Sequence, residues 1–184
     1  MGPLDDATLM RRWQAGDPAA FAALVERWQT PVARFLARLA GADAAADLCQ
    51  ETFLRLLRSA DRYREQGSFS TWLFQVALNV ARDASRRRAE KPPPAGLRPR
   101  FAEATDELME REELGRTVAA VVAGLPPQLR EVLALRHDAG MNFEAMARLL
   151  QTPASTLKSR FAVALDRVRA RLAEFGFQAE ETHR

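Results

Sequence analysis

The stretch that most constrains the fold is NFEAMARLLQTPASTLKSRFAVALDRVRARL, residues 142–172. Two segments of helical periodicity meet there at a break, Gln151 and Thr152. The first repeats Phe143, Met146, Ala147 and Leu150, and the second repeats Leu157, Phe161, Ala164, Leu165, Val168 and Leu172. Apolar residues three and four apart share one helix face, so each segment must bury its stripe against another element. Thr152 is placed to cap the second helix. Pro153 suits its first position, where no helical N–H is needed. The opposite face of the second segment carries Ser155, Lys158, Ser159, Ala162 and Val163. Small side chains with one cation let a helix lie deep in a major groove and touch base edges. The same pattern also reads as a plain helical hairpin whose second helix is merely amphipathic. The turn calls for a left-handed residue. Its expected position is Gln151, where a side chain costs roughly 1 kcal/mol relative to glycine.

The remaining chain is compatible only with more helix. It is rich in Ala, Leu and Arg, has a single Tyr and has almost no β-branched runs, which predicts an all-α protein. Its 27 basic and 24 acidic residues leave a net charge of +3. That balance permits nucleic-acid binding without demanding it, so local clusters must carry the claim. One cysteine, Cys49, excludes an internal disulfide and fits a reducing compartment. The two histidines, His137 and His183, form no metal-ligand spacing, and no metal or other cofactor is expected. The acidic N-terminus lacks a secretion pattern, and the apolar run at 118–125 is too short to span a membrane. A soluble, cytoplasmic protein is the expectation.

Taken in order, residues 5–15 predict a short helix with Leu9, Met10 and Trp13 inward, ended by Gly16. Asp17-Pro18 starts the next, which carries Phe21, Leu24, Val25 and Trp28. Thr30-Pro31 is expected to kink or break it before Phe35, Leu36 and Leu39, and Asp43 to cap a third helix over about 44–59. The core face of that helix is Ala45, Leu48, Cys49, Phe53 and Leu56. Its other face gathers Asp47, Gln50, Glu51, Leu54 and Arg58 within an arc of about 100°. A leucine ringed by acids, an amide and an arginine suits a partner interface. A solvated face with one stray Leu has the same pattern. The loop ADRYREQGS, residues 60–68, holds Arg62, Tyr63 and Arg64 together, a composition able to stack on an unpaired base and hold its phosphate, and equally common in solvated loops.

A fourth helix runs from Phe69 to about Arg88. Phe69, Trp72, Leu73, Val76, Ala77 and Val80 line its core face. A second stripe, Thr71, Gln75, Asn79, Arg82 and Arg86, passes from neutral hydrogen-bonding groups to the Arg86-Arg87-Arg88 run. Base readers followed by phosphate binders would look like this. So would a solvated face whose last-turn cations suit the helix dipole.

Residues 91–106 read as a proline-rich linker whose charge changes from basic to acidic. Helices at about 106–124 and 127–138 then lead into the helix-turn-helix. The expected layout is a helical domain at 1–90, a flexible tether at 91–106 and a smaller helical domain at 107–184. A tether of about 15 residues extends roughly 50 Å.

Four stretches, in this order, resemble the extracytoplasmic-function (ECF) sigma factors of the sigma-70 superfamily, over nearly the whole chain. GDPAAFAALVERW looks like the start of the family's region 2, and AADLCQETFLRLL like its polymerase-binding helix. FSTWLFQVALNVARDASRRR is similar to the promoter-melting, −10-reading helix. LPPQLREVLALRHDAGMNFEAMARLL, followed by PASTLKSR, is similar to region 4. The resemblance implies a factor without catalytic residues that binds bacterial core RNA polymerase and promoter DNA. Asp47, Gln50, Glu51 and Leu54 would dock on the clamp helices of the largest subunit. Tyr63 and Arg64 would help capture a flipped −10 base. Asn79, Arg82, Arg86, Arg87 and Arg88 would hold the promoter strand. Ser155, Thr156, Lys158, Ser159, Ala162 and Val163 would face the −35 groove, with Arg160 on phosphates. Trp72 would be core beneath the −10 surface. An anti-sigma factor that covers the apolar faces is a further partner the family admits; no membrane insertion and no small-molecule substrate are implied.

Three departures bear on −35 recognition. Ser155 stands where the family has Gly, Gln151 replaces the turn glycine, and FAVALDRVR lacks arginines common after the KSR motif. Two rival readings are weaker. A stand-alone helix-turn-helix regulator would need a dimer seam. A metal-dependent phosphohydrolase would need companions for Asp47 and Glu51 that the sequence does not supply.

Overall fold

The computed structural model describes residues 4–63, 68–90 and 106–175, with 106–114 as backbone only. All regular structure among them is helical. The elements are α1 (Asp6–Gln14), α2 (Pro18–Ala40), α3 (Ala42–Arg58), a single 3-10 turn (Ala60–Arg62), α4 (Phe69–Ala89), α5 (Asp106–Ala123), α6 (Pro127–His137), α7 (Phe143–Leu150) and α8 (Ala154–Glu174). The linker segment 91–105 and Arg64 lie outside the described residues.

Capping explains most of the boundaries. The Asp5 carboxylate accepts the Thr8 amide, Asp17 accepts Ala19 ahead of Pro18, Ser68 accepts Thr71, and Asn142 accepts Ala145. Two expected caps are absent. Asp43 lies in the first turn of α3, where Gly41 occupies the cap position without a side-chain bond. Thr152 caps nothing: Pro153 takes the cap position of α8, and the Thr152 hydroxyl donates to the Leu150 carbonyl at 3.1 Å. Pro31 does not break α2, which runs unbroken through it. Burial of Val32, Phe35 and Leu36 on the far side holds that helix together. Gln151 is left-handed, with φ 52° and ψ 40°, as the turn requires.

The first four helices enclose an aromatic-rich core. Phe74 stands edge-on to Phe35 at 5.1 Å and to Trp28 at 6.0 Å. Phe74 and Leu78 are fully buried, so α4 is covered on a wider face than its periodicity indicates. The C-terminal helices have a core of their own around Val122, Leu125, Leu129, Leu133 and Ala164. A second set, Val132, Leu135, Met141, Met146 and Leu157, joins the buried cluster of the N-terminal helices. The two parts are therefore packed together through α2, α5 and α6.

Candidate nucleic-acid and protein interfaces

The first surface is built on α2 and α3. Asp47 and Gln50 are exposed, Glu51 is half-buried, and Leu54 is 39% exposed. Leu57, one turn further on, is 48% exposed; the sequence pattern does not single it out, although it lies three residues from Leu54. The two leucines border an open groove of about 570 Å³ whose walls include Phe21, Val25, Phe53 and Cys49, with Arg34 at its edge. Cys49 is half-buried there, and burial pushes its thiol up from the ordinary range. An apolar slot whose polar lining is two glutamines, a threonine and an arginine is suited to an amphipathic helix.

Glu51 is already engaged. It accepts from Arg55 Nε at 2.7 Å, Arg55 Nη1 reaches Asp83 on α4 at 2.8 Å, and Asp83 also accepts from Arg86. Hydrogen bonds from Arg55 first, then Arg86, hold the Asp83 carboxyl below the usual carboxylate range. Thr52, between these residues in sequence, is fully buried and donates to the Leu48 carbonyl at 2.7 Å.

The second surface is the exposed stripe of α4. Gln75, Asn79, Arg82, Arg86, Arg87 and Arg88 are all exposed, with Thr71 half-buried. Arg82 forms a two-point ion pair with Glu131 of α6, at 2.8 and 2.7 Å, which raises the pKa of the guanidinium. Tyr63 does not join this stripe. It is 7% exposed, and its ring packs against Trp72 at 5.0 Å and Phe69 at 6.2 Å. In this arrangement its ring packs among the aromatic side chains of the core. Trp72, on the first turn of α4 and half-buried, packs against the same Tyr63 and Phe69 rings. The Gln14 amide fastens the 3-10 turn by donating to the carbonyls of Ala60 at 2.9 Å and Tyr63 at 3.3 Å.

The third surface is α8. Ser155, Lys158, Ser159, Ala162 and Val163 are exposed on one side, while Thr156 and Arg160 are half-buried at its margins. The far side buries Leu157 and Ala164. Lys158 Nζ stands 5.9 Å from the centre of the Phe143 ring. Among the described residues, no group of three or more His, Cys, Asp or Glu side chains could hold a metal ion. No helix there is long and apolar enough to cross a membrane.

The family model for Sigma-70 region 2 matches residues 24–91, which hold most of α2 and all of α3 and α4. The ECF RNA polymerase sigma-E factor of Haemophilus influenzae is 31% identical over 169 residues, 85% of this chain and 89% of that protein. The sigma-E factor of Escherichia coli K12 is equally similar, over 88% of its length. The chain belongs to the ECF sigma factors. The solved structure of CnrH in complex with the cytosolic domain of CnrY aligns with this sigma factor at a TM-score of 0.70 and 25% identity, over 92% of this chain and 97% of that one. The sigma factor RpoE, solved with the anti-sigma factor NepR from Bartonella quintana, shares the fold at a TM-score of 0.66 and 20% identity, over 83% and 96% of the two chains. The reading as a stand-alone helix-turn-helix regulator is not favoured against these relatives. The three surfaces of this sigma factor sit on separate elements, α3, α4 and α8, so each can engage a different partner or DNA segment.

Proposed function

We propose that this chain seats on bacterial core RNA polymerase and gives it promoter recognition and strand opening, with the polymerase supplying all bond-forming chemistry. The observation that carries this reading is the groove between α2 and α3, where Leu54 and Leu57 stand exposed beside Asp47, Gln50 and Glu51. Two leucines left in water within a matched region 2 supply the apolar anchor that a docked helix needs. Residues 1–90 act as region 2, 91–106 as the tether and 107–184 as region 4. Asn79, Arg82 and Arg86–Arg88 contact the −10 strand. Ser155, Thr156, Lys158, Ser159, Arg160, Ala162 and Val163 face the −35 groove. The protein works in the cytoplasm, has no catalytic role and needs no cofactor. An anti-sigma protein is a further partner, by similarity to the sigma factor RpoE, which was solved with the anti-sigma factor NepR.

The test is promoter-directed transcription with purified core polymerase on the DNA upstream of the chain's own gene. Discrete new transcripts that disappear with Leu54→Asp are expected. Normal holoenzyme assembly by a folded Leu54→Asp variant would remove the α2–α3 groove as the docking surface.

A further inference from the structure

Among the described residues, the large hydrophobic side chains that stand exposed are Leu54, Leu57, Val163 and Phe175. Leu54 and Leu57 border the groove, and Phe175 lies just past the end of α8. Val163 is different. It is 43% exposed in the middle of α8, on the side turned away from the buried Leu157 and Ala164. A solvated helix gains nothing from valine there, since valine is a poorer helix former than alanine, leucine or arginine and its two methyls face water.

We propose that Val163 reads a 5-methylpyrimidine in the major groove of the −35 element and so sets the base preferred at one position. The proposal rests on the reading of α8 as the −35 surface. At about 100° per residue, Lys158 and Arg160 flank Ser159 on its two sides, while Ser155 and Val163 continue the line of Ser159 one turn before and after it. Ser155, Lys158, Ser159 and Val163 are exposed and Arg160 is half-buried. The strip is thus small or apolar along its middle with a cation at each margin, which matches base edges lying between two phosphate rails. Next along the strip, Asp166 is exposed and meets Arg169 at 3.4 Å. Ser155, Ser159, Ala162, Val163 and Asp166 all lack the paired donors that read guanine and the side-chain amide that reads adenine. Hydroxyls accept several partners, and Lys158 at the margin can serve a guanine elsewhere in the element. Beneath Val163, apolar contact is what remains to choose a base.

The C5 methyl of thymine is the apolar group on the major-groove edge, and 5-methylcytosine carries the same group. Valine suits this contact. Branching at Cβ holds its side chain in one strongly preferred rotamer on a helix, so its methyls are in place before DNA arrives. Unmethylated cytosine presents its amino donor there instead, and Val163 strips water from that group without offering an acceptor. Covering one methyl corresponds to about fourfold in affinity.

The experiment uses holoenzyme formed from the full chain and core polymerase. Duplexes retained from a fully randomised pool give the −35 element, and each of its thymines is then changed to uracil, which deletes one methyl and nothing else. At one position the methyl-free duplex is expected to bind about fourfold more weakly. Holoenzyme with Val163→Ala, compared at equal assembly, no longer distinguishes thymine from uracil at that position and keeps its response at the others. Val163→Ile preserves the distinction. Circular dichroism confirms native helix content in both variants, as expected for changes at an exposed helical position. Cytosine and 5-methylcytosine, each opposite guanine at the same position, separate the two sources of the methyl. Equal binding of thymine and 5-methylcytosine assigns recognition to the methyl alone, and a preference for thymine assigns it to the whole base. An element in which no single methyl matters, or a uracil penalty that persists in Val163→Ala, overturns the role of Val163 and leaves the −35 reading of α8 standing. Retained duplexes that share no −35 element overturn that reading, and a chain that does not assemble with polymerase overturns the sigma-factor reading itself.

Discussion

Arg55 of α3 and Asp83 of α4 meet at 2.8 Å and join the helix that borders the groove to the helix that carries the arginine run. Arg55 also holds Glu51, and Asp83 also holds Arg86, so four charges form a line from one surface to the other. Both side chains of the central pair are about one-third exposed, and solvent screening limits the pair to about 0.5 kcal/mol. Asp83→Asn is expected to destabilise the protein by that order at neutral pH. Because the folded carboxyl titrates below its ordinary 3.8, the contribution is complete above that value and fades as pH falls through the depressed one. Urea denaturation at neutral pH and in strong acid tests the sign: the gap between wild type and variant closes in acid.

Tyr63 distinguishes a core role from a base-contacting one. Tyr63→Ala should cost about 3 kcal/mol, as a buried aromatic truncation does. Tyr63→Phe keeps the ring against Trp72 and should leave promoter opening within twofold of wild type. Thermal denaturation and open-complex assays on the two variants separate the roles; a large opening defect in a stable Tyr63→Phe protein would restore the direct DNA contact.

The groove predicts a second anchor. Leu57→Asp should weaken core polymerase binding at least tenfold with little change in melting temperature, because Leu57 is about half exposed and contributes little to the core. Competition against the unaltered chain for a limiting amount of core polymerase measures this directly.

The arginine run is expected to act through phosphates. Replacing Arg86 and Arg87 with Ala should flatten the salt dependence of open-complex formation by about 0.7 in log–log slope for each single-strand phosphate no longer neutralised. Stability should stay nearly unchanged, since both residues are exposed. An unaltered slope assigns the run to solvent.

Gln151 carries strain that glycine would relieve. Gln151→Gly should leave stability unchanged or raise it by up to about 1 kcal/mol, whereas Gln151→Val should lower it by at least about 1 kcal/mol, because a β-branched side chain resists positive φ. Chemical denaturation of the pair checks the ordering, and duplex binding checks whether the turn geometry tunes α8.

Much of the fold is legible in the sequence because it is local. Helical periodicity marks α1, α3, α4, α7 and α8, and the left-handed turn at Gln151 follows from the helix-turn-helix spacing. The exposed faces of α3 and α8 are legible for the same reason. What escapes a sequence reading depends on contacts distant along the chain. Glu131 meets Arg82 across 49 positions, and Asp138 meets Arg38 across 100, so neither pair leaves a spacing signal. Tyr63 reads as a loop aromatic because its partners, Phe69 and Trp72, belong to the next helix. Leu57 gives no signal because an exposed leucine is ordinary until the groove beside it is seen. Thr152 and Asp43 have the right chemistry for caps, but Pro153 and Gly41 take those positions.

The uninterrupted α2 carries two different loads. Phe21, Val25 and Arg34 face the groove, while Arg38 and the Leu39 carbonyl, at the far end, take the pull of α6. Between Val25 and Arg38 sits Pro31, which has no N–H for the carbonyl of Arg27 and leaves one rung out of the helical ladder. A rod with one missing rung is most compliant there. The groove straddles that point, with Phe21 and Val25 on one side of Pro31 and Ala33 and Arg34 on the other, so the softest rung of α2 lies under the groove itself and short of the Arg38 contact.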